Sequence, residues 1–265
     1  MKMVKIKSIE KIDVNSKRYD LTIKDNSNLF VNNLLVHNCN NLWGHIEKKI
    51  SYPITLIGSV KIDGSSISII VGDDKIDVAS RTYVKPQMIS KVVGNREPTL
   101  WDKIKKFFGY KPNLLIKEMV ENDDQFVVLA KPYVEKIIQR LNDGHFHFPK
   151  KFILRGEANG KSWKGSGNKN NPDSKNEPNI KFYGIDDYSS GVAVKVNNYT
   201  FKLFMNIFGF ETCKEIFNKE FNSREEIEKE CKEYFKNNMV EGIVLRTLDS
   251  TFSAKFLSDE YDSKK

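Results

Sequence analysis

Short runs that alternate apolar and polar residues recur along this chain, and several of them stop at a charged side chain. The sharpest case is Val60-Lys61-Ile62-Asp63-Gly64-Ser65-Ser66, where a β run over Ile54 to Val60 gives way to a turn and a second run over Ser66 to Val71. Alternation broken by Asp-Gly demands strands joined by a turn, so one amine stands where a strand ends. A surface lysine titrates at about 10.4 and is a poor nucleophile at neutral pH. Chemistry at Lys61 therefore needs desolvation or nearby positive charge, and Gly64 would let a phosphate come close. Taken alone, the four residues fit an ordinary β-turn equally well.

The other strand-end groups restrict the choice. A hairpin over Ser66 to Val71 and Lys75 to Ala79, turning at Gly72-Asp73-Asp74, delivers Ser80-Arg81-Thr82. Phe152 to Glu157 is a strand ending in a carboxylate, Val240 to Arg246 opens on Glu241, and Phe252 to Phe256 carries Lys255. Lys61, Arg81, Glu157, Glu241 and Lys255 together suit nucleotidyl transfer: an amine to attack an α-phosphate, cations to neutralise its charge, and carboxylates to hold Mg²⁺ and ribose. Lys255 close to Lys61 would also lower the pKa of the amine.

Between these groups the pattern predicts scaffold. A short helix is expected near His45 to Ile50, a helix or loop over Trp101 to Tyr110, another helical stretch from Pro112-Asn113-Leu114, and a helix over Pro132 to Asn142. Asn179 to Ile185 reads as a strand, Asn197 to Phe221 as an aromatic helix with a turn at Gly209, and Ser223-Arg224-Glu225-Glu226 as a capping box. Phe204, Phe208, Phe217 and Cys231 are assigned to the core. His145-Phe146-His147 lacks an acid or cysteine at zinc-ligand spacing. Gly156 to Ser162 is one residue short of a P-loop, and the Gly/Asn/Lys-rich stretch Ala158 to Pro172 is either a lid over phosphates or a surface insertion.

Composition adds bounds. With 265 residues, 39% of them hydrophobic, the chain can bury a core as one large or two modest domains. No run reaches the ~18 apolar residues of a membrane span, and no signal peptide is visible, which predicts a cytoplasmic protein without a membrane partner. Three cysteines without paired spacing argue against a disulfide framework. The net charge is +8, of which +3 falls in the first 38 residues; it is compatible with nucleic acid or with a solvated lysine surface.

The N-terminal region differs in character. Val4 to Lys7 and Tyr19 to Ile23 alternate, Asp25 to Asn28 is a turn, and the next apolar run ends at Val36-His37-Asn38-Cys39. Asn38 can cyclise to a succinimide and break the following peptide bond, His37 can supply a proton, and Cys39 can accept an acyl group. A loop with a buried cysteine is the plainer alternative.

The stretch from Tyr19 to Cys39 resembles the C-terminal piece of a split intein. The resemblance implies an intein fragment over residues 1–38, with Cys39 the first residue of the spliced protein and an N-terminal split-intein precursor as obligatory partner. Ser27-Asn28 stand where that family commonly has a histidine.

Residues 39–265 resemble the phage-type ATP-dependent RNA ligases of the covalent nucleotidyltransferase superfamily. Lys61 to Gly64, Ser80 to Thr82, Arg155 to Glu157, Lys181 to Asp186, Glu241 to Arg246, and Ala254-Lys255 with Glu260-Tyr261 fall in the order of that family's motifs. The resemblance implies an α+β, ATP-grasp-like nucleotidyltransferase fold of two antiparallel sheets with flanking helices, preceded by the small β-rich intein fragment. It further implies ATP and Mg²⁺ as cofactors, and joining of 5′-phosphate to 3′-hydroxyl RNA ends in the cytoplasm, that of a host cell if phage-encoded. Lys61 would carry AMP, Asp63 would serve strand joining, and Lys255 would contact the α-phosphate. Arg81 would contact a phosphate, Glu157 the metal or ribose, and Glu241 the metal. Ile185 takes the place of the usual adenine-stacking aromatic, and Ser253 that of the first lysine of a Lys-x-Lys pair. DNA ligases share Lys-x-Asp-Gly but continue into a second domain, whereas ten residues follow Lys255 here. A DNA ligase, and a splicing precursor inactive until joined to its partner, are the alternatives.

Overall fold

The computed structural model describes residues 28–31, 34–37, 40–41, 50–73, 75–81, 83–99, 115–143, 149, 151–163 and 171–262. In chain order the elements are β1 (Asn28–Val31), β2 (Leu34–His37), β3 (Asn40–Asn41), β4 (Ile54–Lys61), β5 (Ser65–Val71), β6 (Ile76–Ser80), β7 (Val84–Lys85), β8 (Met88–Asn95) and β9 (Leu115–Glu121). There follow α1 (Gln125–Asn142), β10 (Phe152–Asn159), β11 (Asn179–Asp187), β12 (Val194–Lys195), α2 (Asn198–Phe208), β13 (Glu215–Phe221), α3 (Arg224–Asn237), β14 (Gly242–Thr247), β15 (Ser253–Leu257) and the single turn α4 (Asp259–Asp262).

Two sheets dominate. One has the order β12-β11-β10-β5-β6-β7, the other β13-β4-β14-β15-β3. Pairings between these strands are antiparallel except that β15 runs parallel to β3, with Ala254 opposite Asn40 and Lys255 opposite Asn41. Each sheet buries its outer face under helices. The six-stranded sheet packs Ile67, Ile69, Phe152, Leu154, Ile180 and Phe182 against Val127, Val134 and Ile137 of α1 and Phe201, Phe204 and Phe208 of α2. The five-stranded sheet packs Leu56, Phe217, Ile243 and Leu245 against Ile227 and Cys231 of α3. Each large side chain so buried is worth roughly 1.5–3 kcal/mol.

Local chemistry sets the element ends. Asp124 caps α1 by accepting from the Phe126 N–H at 2.9 Å, and Ser223 caps α3 by accepting from the Glu226 N–H at 3.3 Å. Gly209 ends α2 in the left-handed conformation at φ 59°. The α1 helix begins seven residues before the expected Pro132, which lies inside it. The helical stretch expected from Pro112 is overturned: Leu115–Glu121 is strand, paired with β8 in a separate ribbon. Beyond Gly209 the chain forms β13 rather than more helix, because Phe217 and Phe221 are drawn onto the core of the second sheet.

Two covalent crossings join the sheets. The shorter is Ile62-Asp63-Gly64, between β4 and β5. The other runs through α2 to residues 211–214, which bond both sheets: the Phe182 N–H donates to Glu211 O at 2.8 Å, and the Val60 N–H to Lys214 O at 2.8 Å. Both ties therefore lie beside Lys61.

Of residues 1–38, only β1 and β2 are described, as an antiparallel ribbon with Asn28 opposite His37. The strands expected at Val4 to Lys7 and Tyr19 to Ile23, the helix near His45, the segment Trp101 to Tyr110 and His145-Phe146-His147 lie outside the described residues, as do Asn38 and Cys39.

Candidate active site

The inner faces of the two sheets meet across a cleft, and alternation decides what enters it. On β10 the outer face takes Phe152, Leu154 and Ala158, so Arg155 and Glu157 point inward. On β4, β14 and β15 the same rule turns Ser59, Lys61, Val244, Arg246, Ser253 and Lys255 inward.

Lys61 and Glu241 meet because β4 pairs with β14 in a register that sets Lys61 opposite Gly242. The Lys61 Nζ donates to Glu241 Oε2 at 2.5 Å, with both side chains about a fifth exposed. The neighbour in contact with the amine is thus a carboxylate rather than the expected second lysine. Lys255 stands one strand further on, opposite Val244, and its charge reaches Glu241.

The Lys61 turn is held from both sides. Asp63 accepts at Oδ2 from the Tyr261 hydroxyl at 2.7 Å, and its backbone carbonyl accepts from Asn171 Nδ2 at 3.0 Å. Gly64 is required for space: a Cβ there would lie 2.4 Å from the Ala158 carbonyl oxygen of β10. This close approach brings the turn against the strand that carries Glu157.

Glu157 is nearly withdrawn from solvent, and its Oε2 has no hydrogen-bond partner among the described residues. Burial pushes its carboxyl up to about 7; Lys61 and Arg81 pull it down, while Glu241 and Asp63 push it further up. Burial also raises Glu241, against the pull of Lys61. A carboxylate oxygen withdrawn from solvent without a hydrogen-bond partner, beside a second carboxylate whose direct contact is one ammonium, is a place where further positive charge would be stabilising. Among the described residues no group of three or more His, Cys, Asp or Glu forms a metal cage. Two carboxylates completed by phosphate oxygens and water are, however, the usual protein share of a magnesium site, and Glu157 and Glu241 fit it.

The chain is similar in structure to mutants of the Naegleria gruberi RNA ligase. One, solved with AMP and Mn, shares 19% sequence identity, with 89% of this chain and 59% of that chain covered and a TM-score of 0.59. Another, with ATP and Mn, also shares 19% identity, at 89% and 59% coverage and a TM-score of 0.60. A third, with ATP and Mn, shares 17% identity, at 94% and 65% coverage and a TM-score of 0.61. The fold is the nucleotidyltransferase fold of RNA ligases. The chain spans about three-fifths of the length of these ligases. No family model matches it, and no curated protein does.

Within this RNA-ligase fold, Arg81 is exposed just beyond β6, with its charge felt at Glu157, and Thr82 lies outside the described residues. Ile185 is 1% exposed and packs in the outer core, while it also borders the cavity lined by Tyr183. The reason is a β-bulge. The β10–β11 register shifts between Arg155–Gly184 and Gly156–Phe182, leaving Tyr183 as the extra residue. Phe182 and Ile185, three apart, consequently share the core face, and Tyr183 is presented to the cleft. The Arg246 guanidinium lies over the Tyr183 ring at 5.2 Å, and the two help line a cavity with Arg155, Asp186, Lys195 and Ser253.

In that cavity Arg155 bonds Asp186 at 2.7 Å through Nε and 2.5 Å through Nη2, with Asp186 buried and Arg155 largely so. Burial pushes the Cys213 thiol up to about 11 and the Cys231 thiol to about 12, which disfavours the thiolate at both positions. Sequence reasoning assigned no role to Tyr183, Arg246 or Asn171. Tyr261 was noticed only as a neighbour of the last motif.

Proposed function

We propose that this chain is an ATP-dependent RNA ligase that forms a covalent lysyl-AMP on Lys61 and joins 5′-phosphate to 3′-hydroxyl RNA ends. The observation that carries the reading is the placement of the Lys61 amine on Glu241 beside the unpartnered, buried Glu157. In the first step the amine attacks the α-phosphorus of ATP; an N–P bond forms, the bond to the β-phosphate oxygen breaks, and pyrophosphate leaves with the electron pair. Glu241 must release Lys61, and the ammonium must give up a proton, before its lone pair is available. Glu157 and Glu241 would hold a divalent cation, Mg²⁺ or Mn²⁺, whose charge would stabilise the α-phosphate as it reacts. Lys255 and Arg81 add positive charge, and Tyr183, with the Arg246 guanidinium over its ring, offers a flat face on which adenine can stack. Asp63 is assigned to the strand-joining step.

The chain is further read as the C-terminal half of a protein trans-splicing precursor, residues 1–38 being a split-intein fragment that acts through His37, Asn38 and Cys39. Mixed with the matching N-terminal half, it should release residues 1–38 as a succinimide and carry the partner's extein on Cys39. A mass spectrum showing only intact precursor would remove this part of the reading without touching the ligase.

The ligase is tested by mass spectrometry after ATP and Mg²⁺. One AMP should be gained in the native protein and none in Lys61→Ala. Labelling of the alanine variant would displace Lys61 as nucleophile. Faster sealing of nicked DNA than of nicked RNA would make the chain a DNA ligase. Absence of label until the partner is spliced on would favour a precursor silent on its own.

A further inference from the structure

Residues 255–261 reach three parts of the proposed site at once. Lys255 enters the cleft from β15. Three residues on, the Ser258 N–H donates to the Glu241 carbonyl at 3.0 Å. Three further on, the Tyr261 hydroxyl donates to Asp63 Oδ2 at 2.7 Å across a separation of 198 residues. Tyr261 is 2% exposed, so its ring is packed and its hydroxyl has little room to turn elsewhere. Burial first, and then the Asp63 carboxylate, push the phenol's pKa above its ordinary value, which keeps it a donor wherever the protein is folded.

A buried phenol on a carboxylate fixes more than one oxygen. The Tyr261 hydroxyl occupies Oδ2, Asn171 holds the Asp63 carbonyl from the connection between β10 and β11, and Oδ1 is the oxygen left to act. We propose that Tyr261 is a positioning residue for Asp63, fixing the orientation of its carboxylate, while the separate Ser258 bond ties the same segment to the Glu241 backbone. The proposal rests on the reading of the cleft as a nucleotidyl-transfer site and deepens it: Tyr261 touches neither nucleotide nor RNA, and it acts on strand joining through Asp63.

The experiment uses the full chain and Tyr261→Phe, which keeps the ring and removes the bond. Transfer of AMP from ATP to Lys61 should stay within about threefold of native. Sealing of a pre-adenylylated RNA nick should lose about tenfold in kcat with KM for the nick little changed, the size expected for one hydrogen bond to a charged group. In an Asp63→Ala background, which removes the acceptor, the phenylalanine should cost nothing further. An unchanged kcat for sealing, or the same loss in both backgrounds, would overturn the proposal. A purely packing role would lower the melting temperature without separating the two steps. The same four proteins are also melted: non-additive shifts are expected for a bonded pair, and additive shifts overturn the bond whatever the activity. Failure of the native chain to take AMP would sink the ligase reading instead, and shows itself before any variant is made.

Discussion

Arg155 and Glu157 sit two residues apart on the same face of the same strand, yet their charges are treated in opposite ways. Arg155 is closed off by Asp186 through two short bonds, with Asp186 buried and the arginine side chain 11% exposed. Glu157 is equally withdrawn, but one of its oxygens meets nothing among the described residues. The first arrangement is complete within the fold and serves to hold β10 to β11. The second is incomplete, and a fold tolerates such a group where a ligand completes it.

The contrast can be broken most forcibly at the satisfied end. Arg155→Ala should leave Asp186 buried without a counter-ion and cost about 3–5 kcal/mol in denaturant unfolding. A loss below ~1 kcal/mol would mean that the pair is ornamental. The unsatisfied end should behave in the reverse sense. With the Glu157 carboxyl raised from 4.5 to about 7, the native state holds a proton that the unfolded chain has already lost between those values. Stability in the absence of ligand should therefore decline as pH rises from about 4.5 through 7, by up to about 3 kcal/mol, and level off above. Glu241, raised in the same direction, adds to the decline. Glu157→Gln should flatten the profile, and a profile that rises with pH in this window would contradict the burial of an unpaired carboxylate.

A smaller effect is expected from the partner carboxylate. Glu241→Ala should slow AMP transfer to Lys61 by about a hundredfold or more, the usual loss for one preorganised charge. Sealing near native rate would show that the Lys61–Glu241 contact is only a surface ion pair. Least of all, Tyr183→Ala should raise the KM for ATP by roughly tenfold or less, as removal of one aromatic contact does. Ile185→Ala should act on stability instead. If Ile185→Ala raised that KM more than Tyr183→Ala, the bulge would not govern which side chain meets the base.

What the sequence disclosed and what it withheld divide along the same lines. Lys61, Glu157, Glu241 and Lys255 were legible because each ends or enters a short alternating run, and alternation is a local property. The choice between Tyr183 and Ile185 was not, since the bulge that reverses the faces of β11 is a matter of register against β10 and leaves no mark in β11 alone. The β9 strand was misread for a related reason: Leu115 to Glu121 takes its conformation from pairing with β8. The bond between Tyr261 and Asp63 joins opposite ends of the described chain, and Asn171 reaches the same turn from 108 residues away. Contacts of that reach are set by topology, which residue patterns do not encode.

The position of the Lys61 turn between the sheets bears on how the cleft can breathe. Ile62-Asp63-Gly64 is the shorter of the two crossings, Gly64 lies against the Ala158 carbonyl, and residues 211–214 lace the sheets together next to Val60. The spine of the cleft thus runs past Lys61. Displacement about a spine grows with distance from it, so admitting a nucleotide would move the Tyr183 and Arg246 faces apart far more than it would shift Lys61 against Glu157. The proposed nucleophile is mounted beside these ties, where opening and closing of the cleft would disturb its aim least.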